Sequence, residues 1–175
     1  MAVVDPVIVQ VVGFQNSGKT TFVKKLLQEL SNQNIFVATI KHHGHGGKPD
    51  VVEKKDSSEH IQSGAFASLV EGEGRLLIQV EKDEWNIQEQ IHILCSMNPE
   101  VIVIEGHKNE RFHKIVLLRN KEDFDALKSL ENVMAFVSHE PLHINPNVPI
   151  WNENDIMTWL VQYINEQRNQ GNCKV

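Results

Sequence analysis

A chain of 175 residues is long enough for one domain with a sizeable core, and its 41% apolar content is that of a globular protein. With 17 basic against 23 acidic side chains the formal charge is −6, which argues against a general nucleic-acid binder, a class that shows a basic excess. No apolar run reaches the roughly 20 residues that cross a bilayer, and residues 1–10 lack the basic start of a signal peptide, so no membrane span is expected and the cytoplasm is the expected compartment.

Val7 to Val12 is a continuous, β-branched apolar run, the pattern of a buried strand. From Lys19, apolar residues at Phe22, Val23, Leu26, Leu27 and Leu30 line one face of a helix ending near Asn32. Ile35–Ile40 predicts a second strand, and the strand–helix–strand unit predicts parallel pairing of the two. Residues 41–55 are polar and glycine-bearing, hence a loop. Asp56-Ser57-Ser58-Glu59 resembles a capping box opening a short helix that stops near Gly64. Ala65–Val70 and Leu76–Val80 flank Glu71-Gly72-Glu73-Gly74 and predict a β-hairpin.

Further on, Ile87, Ile91, Leu94 and Cys95 mark an amphipathic helix, and Val101–Ile104 is a short, wholly apolar strand. Ile115–Leu118 and Val133–Val137 are further strands, with a helix from about Lys121 to Leu130 between them. Ile156, Trp159, Leu160, Tyr163 and Ile164 give a last helix its buried face. Cys95 and Cys173 make no metal spacing and read as two reduced thiols. The alternation predicts one three-layer α/β domain over residues 1–168, with a mainly parallel sheet plus the hairpin, and a disordered tail over 169–175.

The most specific signal is Gly13-Phe14-Gln15-Asn16-Ser17-Gly18-Lys19-Thr20, which matches the phosphate-binding pattern G-x-x-x-x-G-K-S/T at every fixed position. A buried strand runs into it and an amphipathic helix leaves it, as the pattern requires. The glycines let backbone wrap an anion, and successive amides then face it at the positive end of a helix dipole. Gln15, Asn16, Ser17 and Thr21 share this loop. Lys19 is expected to reach the β- and γ-phosphates of a nucleoside triphosphate, and the Thr20 hydroxyl to ligate Mg2+.

The second half of such a site needs an acid at the end of a buried strand. Glu105 follows Val101–Ile104 and is expected at the edge of the sheet where α/β ligands sit, as a magnesium ligand directly or through water. Asp56 is a second candidate for the metal shell, and equally a helix cap. Lys41-His42-His43-Gly44-His45 follows the second strand on the same edge, and could contact phosphate, a pterin or a metal, or be solvated loop. Asn120-Lys121-Glu122-Asp123 matches the N-K-x-D pattern by which many GTPases read guanine, and is also a good polar start to a helix.

Four segments, GFQNSGKTT, VATIKHHGHG, KKDSSEHIQSGA and VIVIEGHKNERFHKI, occur in order and at fitting separations over roughly residues 7 to 165. Together they resemble the molybdopterin-guanine dinucleotide biosynthesis protein B (MobB) family. The resemblance implies a P-loop NTPase fold of the SIMIBI class, with GTP and Mg2+ as ligands and slow hydrolysis. It also implies a homodimer and a MobA-type molybdopterin guanylyltransferase as partner, with molybdopterin or its guanine dinucleotide as the shared small molecule. Lys41, His42 and His43 map onto the family's IKH segment, Glu105, Gly106 and Lys108 onto its EGxK segment, and Asp56 and Ser57 onto its GKDS segment, in which Lys54 stands for Gly. In the resemblance, Ser138-His139-Glu140 stands where relatives often carry Ser-Asp for the base.

Two alternatives stay open from the residues alone. A P-loop metabolite kinase would need arginines over the phosphates, and Arg111 is the strongest of the chain's four, Arg75, Arg111, Arg119 and Arg168. A metal-insertion GTPase of the nickel type would use the histidine loop.

Overall fold

The computed structural model describes residues 5–44, 47, 56–138, 142 and 148–172; the side chains of 56–58 and 171–172 are outside that description. The chain divides into two compact units, residues 1–44 with 91–175, and residues 45–90. The sequence expectation was a single domain over 1–168.

The larger unit is built on a six-stranded sheet of β1 (Val7–Gly13), β2 (Val37–Lys41), β5 (Val101–Glu105), β6 (Lys114–Leu118), β7 (Val133–Ser138) and β8 (Ile150–Trp151). Their order is β2-β5-β1-β6-β7-β8, and every pair is parallel. The expected direct pairing of the first two strands is corrected here. β5 lies between them, so β1 and β2 are parallel but not neighbours. The two-residue β8 escaped the sequence reading because two residues carry no periodicity.

The middle strands have no polar face because both faces are covered. Every residue of β5 and β6 is buried. On one face lie α1 (Lys19–Asn32) and α5 (Glu153–Asn172). Phe22, Leu26 and Leu30 of α1 and Ile156, Leu160 and Ile164 of α5 recur at i, i+4, i+8 and pack with Val9, Val11, Val103 and Ile115. On the other face, α4 (Lys121–Leu127) brings Leu127 against Val12, Val116, Leu118 and Phe136. α5 stays helical to Asn172, four residues past the expected end of the domain.

The smaller unit holds α2 (Asp56–Gln62) and the antiparallel pair β3 (Ala67–Gly72) and β4 (Arg75–Val80). Positive φ at Glu73 (50°) and Gly74 (77°) makes the two-residue turn whose twist suits a hairpin. Leu69, Val70, Leu76, Leu77 and Ile78 of this ribbon are all exposed. α3 (Ile87–Cys95) runs from this unit into the larger one.

The link from β5 to β6 is unusual in having no helix, although it must pass over β1. Register explains how it stays short. Glu105 ends β5 level with Val11, and Lys114 opens β6 level with Gln10, so residues 106–113 cross β1 with little travel along it. Gln10 is fully buried in β1, and its Nε2 donates to the carbonyls of Gly106 (2.7 Å) and His107 (2.6 Å). A side-chain amide thus fastens the link where a helix would have packed.

Replacing Gln10 by Met keeps the volume and strips both carbonyls of their donor, but also removes the Gln10 Oε1, which is buried without a partner among the described residues; the two lost bonds outweigh that relief, for a net cost of about 1 kcal/mol. Urea unfolding should show the midpoint lowered at unchanged slope; an unmoved midpoint means the carbonyls find other donors.

Candidate functional site

The loop between β1 and α1 is held by sterics that only glycine meets. Gly13 has φ +155°, and a Cβ there would come 2.5 Å from Ser17 Oγ and 2.7 Å from the Leu117 carbonyl. Asn16 (φ 61°) and Gly18 (φ 85°) take left-handed conformations, which Asn and Gly tolerate best. Gly18 is the N-cap of α1, no side chain caps the helix among the described residues, and no acid lies in its first turn. The first amides of α1 therefore stay open to a ligand, at the positive end of the helix dipole. Ser17 is buried with its hydroxyl unpartnered among the described residues, and Gln15, Asn16, Thr20 and Thr21 are exposed at the rim.

Two cations brace this loop. Lys19 Nζ donates to the carbonyls of Gly13 (3.0 Å) and Phe14 (2.6 Å). Burial pushes its ammonium below the usual lysine range; Glu105 opposes that shift, while Lys41 and Arg119 add to it. Arg119 Nη1 reaches the Gln15 carbonyl at 3.1 Å.

Glu105 is where the sequence placed it, at the end of β5, and is 8% exposed. Its Oε1 accepts from the Thr20 hydroxyl at 2.8 Å. Lys41 at the end of β2 contacts both, with Nζ 3.1 Å from Thr20 Oγ1 and 3.1 Å from Glu105 Oε1. A hydroxyl and a carboxylate with an ammonium between them form a donor set suited to a cation.

The loops after β2 and β5 touch beside this group. The rings of His42 and His107 are 4.7 Å apart, and a Cβ on Gly106 (φ +96°) would stand 2.9 Å from the His42 Cβ. Burial holds the His107 imidazole below the usual histidine range, His42 adds to the shift and Glu110 opposes it. Lys108 Nζ lies 5.4 Å from the centroid of Phe14, whose ring also receives the Arg119 guanidinium at 5.7 Å. Lys41, His42 and Lys108 are thus gathered along one edge. His43 is exposed at the same strand end, and His45 lies outside the described residues. The side chain of Asp56 is also outside them, and Asp56 belongs to the other unit.

The N-K-x-D segment has a structural role in this arrangement. Asn120 caps α4, its Oδ1 accepting the Asp123 N–H at 2.9 Å. Asp123 is buried, and both its oxygens are engaged by Arg119, at 2.8 and 2.7 Å. A base would reach the Asp123 carboxylate only by displacing the Arg119 guanidinium. Ser138 is buried at the end of β7; His139 and Glu140 lie outside the described residues. A cleft of about 100 Å³ beside the loop is lined by Ser17, Thr21, Leu117, Leu118, Val137 and Glu153. Sequence reasoning passed over Arg119 and Gln10; the first sat beside a more familiar motif, and the second inside an apolar run.

A phosphate loop between β1 and α1, with an acid ending the neighbouring parallel strand, defines a P-loop NTPase-like α/β protein. The chain belongs to the MobB family: the model of molybdopterin guanine dinucleotide synthesis protein B matches residues 8–139. It is 37% identical over 159 residues to the probable molybdopterin-guanine dinucleotide biosynthesis adapter protein of Bacillus subtilis (strain 168), covering 89% of this chain and 91% of that one. The corresponding adapter protein of Escherichia coli (strain K12) is 30% identical, over 82% and 83% of the two chains. Among solved structures, Bacillus subtilis MobB aligns with a TM-score of 0.78 at 35% identity, covering 90% of this chain and 96% of that one. The MobB homologue of Bacillus stearothermophilus gives 0.75 at 28% identity, over 91% and 98%.

The hydrogen bonds from Arg119 hold the Asp123 carboxyl below the usual carboxylate range, against the opposing effect of burial. Stability from this pair is full above the unfolded value of about 3.9 and fades as pH falls through the lower native value. Asp123→Asn should therefore lower the urea midpoint at pH 7, with a smaller gap to the unsubstituted protein at pH 3. A gap constant with pH would show the charge to be irrelevant.

Proposed function

We propose that this protein binds GTP with Mg2+ and acts as an accessory in molybdenum cofactor biosynthesis. In this reading it assists a MobA-type guanylyltransferase that attaches GMP to molybdopterin, giving molybdopterin guanine dinucleotide. The observation that carries the reading is the uncapped start of α1 inside a glycine-shaped loop, in a chain of the MobB family. The relatives' description as adapter proteins supports assistance to a transferase in place of the transfer itself.

The loop amides of residues 14–20 would take the phosphate chain, and Lys19 would exchange its carbonyl partners for the β- and γ-oxygens. Thr20 and Glu105 would hold the metal, which supplies charge neutralisation between the phosphates. Leu118 and Val137 offer an apolar wall beside the loop for the nucleoside, with Ser138 and His139 left as the base-reading candidates. Lys41, His42, His43, His45 and Lys108 form the edge available to the pterin or the partner. Hydrolysis by the protein alone would be slow. Among the described residues, Arg119 is tied to Asp123, Arg168 to Glu100 and Arg111 to Glu131. The Arg111–Glu131 pair lies near the starts of β6 and β7, away from the loop, which weakens the kinase reading. No three of His, Cys, Asp or Glu converge among the described residues, so they lend the metal-insertion reading no ligand set. The exposed apolar ribbon of β3 and β4 supports a homodimer, since an isolated two-stranded hairpin is marginal in water.

Calorimetry with GTP and Mg2+ tests the core of this reading. The unsubstituted protein should bind, and Lys19→Ala should lose at least about tenfold in affinity with its melting temperature kept. Equal affinity of the two proteins would overturn the site. The metal half is tested separately. Glu105→Gln should weaken GTP binding more with Mg2+ than without it, whereas Lys41→Met, by removing a competing ammonium, should tighten the Mg2+-dependent component. Equal losses with and without the ion would take Glu105 out of the metal shell.

A further inference from the structure

Three consecutive carbonyls of the phosphate loop, those of Gly13, Phe14 and Gln15, are each held by a cation. Lys19 holds the first two, and it is the group a bound phosphate chain would recruit. Arg119 holds the third, and its position is fixed without reference to any ligand. Its Nε and Nη2 grip Asp123 Oδ2 and Oδ1 at 2.8 and 2.7 Å, and its own backbone N–H donates to Oδ2 at 3.0 Å. Asp123 is 3% exposed and is fixed in turn by the Asn120 cap. The planar guanidinium is therefore oriented by a two-point grip, which leaves Nη1 aimed at the Gln15 carbonyl.

We infer that Arg119, oriented by Asp123, is a positioning residue for the apex of the phosphate loop. The peptide between Gln15 and Asn16 is trans, so its C=O and N–H point in opposite directions. Drawing the Gln15 carbonyl toward Arg119 turns the Asn16 N–H away from it. Phe14, over which Arg119 lies, packs with the core on the α4 face, while α1 starts on the other face. The Asn16 amide is thus directed to the side where the anion nest opens. Asn16 holds a left-handed backbone (φ 61°), which Asn tolerates better than most residues but at some cost, so the apex gains from a restraint outside it. Arg119 supplies that restraint without a ligand. Its charge is committed to Asp123, so it restrains the apex without competing with Lys19 for phosphate oxygens.

This inference rests on the nucleotide-binding reading above, and its test separates the two. GTP affinity with Mg2+ is measured by calorimetry for the unsubstituted protein, Lys19→Ala, Arg119→Ala, Arg119→Lys and Asp123→Asn, with thermal melting as a folding control. Losing a charge-assisted restraint should lower the affinity of Arg119→Ala about tenfold. Arg119→Lys can keep an ion pair with Asp123 and hence the fold, but an ammonium cannot grip both carboxylate oxygens and the Gln15 carbonyl, so its affinity should fall as well. Added guanidinium ion should restore binding to Arg119→Ala, while ammonium at the same ionic strength should not; a role confined to stability would give no such selectivity. Full affinity in Arg119→Lys, or absence of guanidinium rescue in folded Arg119→Ala, overturns the inference. If Lys19→Ala loses binding while the Arg119 variants keep it, this inference alone fails; if the unsubstituted protein binds no GTP, both readings fall.

Discussion

The site is organised by a helix whose first amides take no side-chain bond among the described residues. α1 has Gly18 at its cap, a residue with no side chain to turn back on the opening N–H groups. Unpaired amides are tolerated at a solvent-facing edge and are costly in a core, so the start of α1 must stay at the edge of the sheet. Its remaining turns are pinned there by Phe22, Leu26 and Leu30, which are buried against β1 and α5. The surrounding polar groups then answer to that open end. Lys19 and Arg119 brace the loop from outside, and the Glu105 carboxylate, the Thr20 hydroxyl and the Lys41 ammonium meet at its side.

This arrangement depends on β5 standing next to β1. That placement brings the Glu105 carboxylate at the end of β5 to 2.8 Å from the Thr20 hydroxyl in the first turn of α1. Periodicity identifies Val101–Ile104 as a buried strand but says nothing of its neighbours, because strand order is set by long-range packing. The loop pattern, α1 and the acid at position 105 were legible because each is local: a spacing, an amphipathic stripe and a polar residue after an apolar run. The insertion of β5 between β1 and β2 was not, nor was β8 at Ile150–Trp151.

Asn120 to Asp123 shows the converse, a local signal with two readings. The same four residues satisfy a base-reading pattern and a helix start, and sequence does not separate the two. The structure shows the helix start in place, with the guanidinium of Arg119, one residue upstream, on both carboxylate oxygens of Asp123. β6 borders β1, so the corner that follows it lies against the phosphate loop and supports it, whereas the end of β7 is one strand farther out, beside the apolar cleft. Family resemblance, built from IKHHGHG and EGHK together with the loop, carried identity further than any one motif, and the family match over residues 8–139 agrees with it.

The helix-free passage from β5 to β6 has a consequence in time. A crossover helix would be packed along its length and would leave the sheet only when the sheet itself unfolds. Residues 106–113 are instead fastened by separate bonds to several elements: the two from the Gln10 side chain, the Gly106 N–H to the Val11 carbonyl, the Gln10 N–H to the His113 carbonyl, and those from Lys114 and Asn132 to the Glu110 and Arg111 carbonyls. A segment held by scattered bonds, with no continuous helical or sheet ladder, opens at free energies below that of global unfolding. Amide hydrogens between His107 and Arg111 would therefore exchange with solvent far sooner than those of β1 beneath them. The residues that follow Glu105 can thus rearrange on the timescale of a loop while β1 keeps the lifetime of the core.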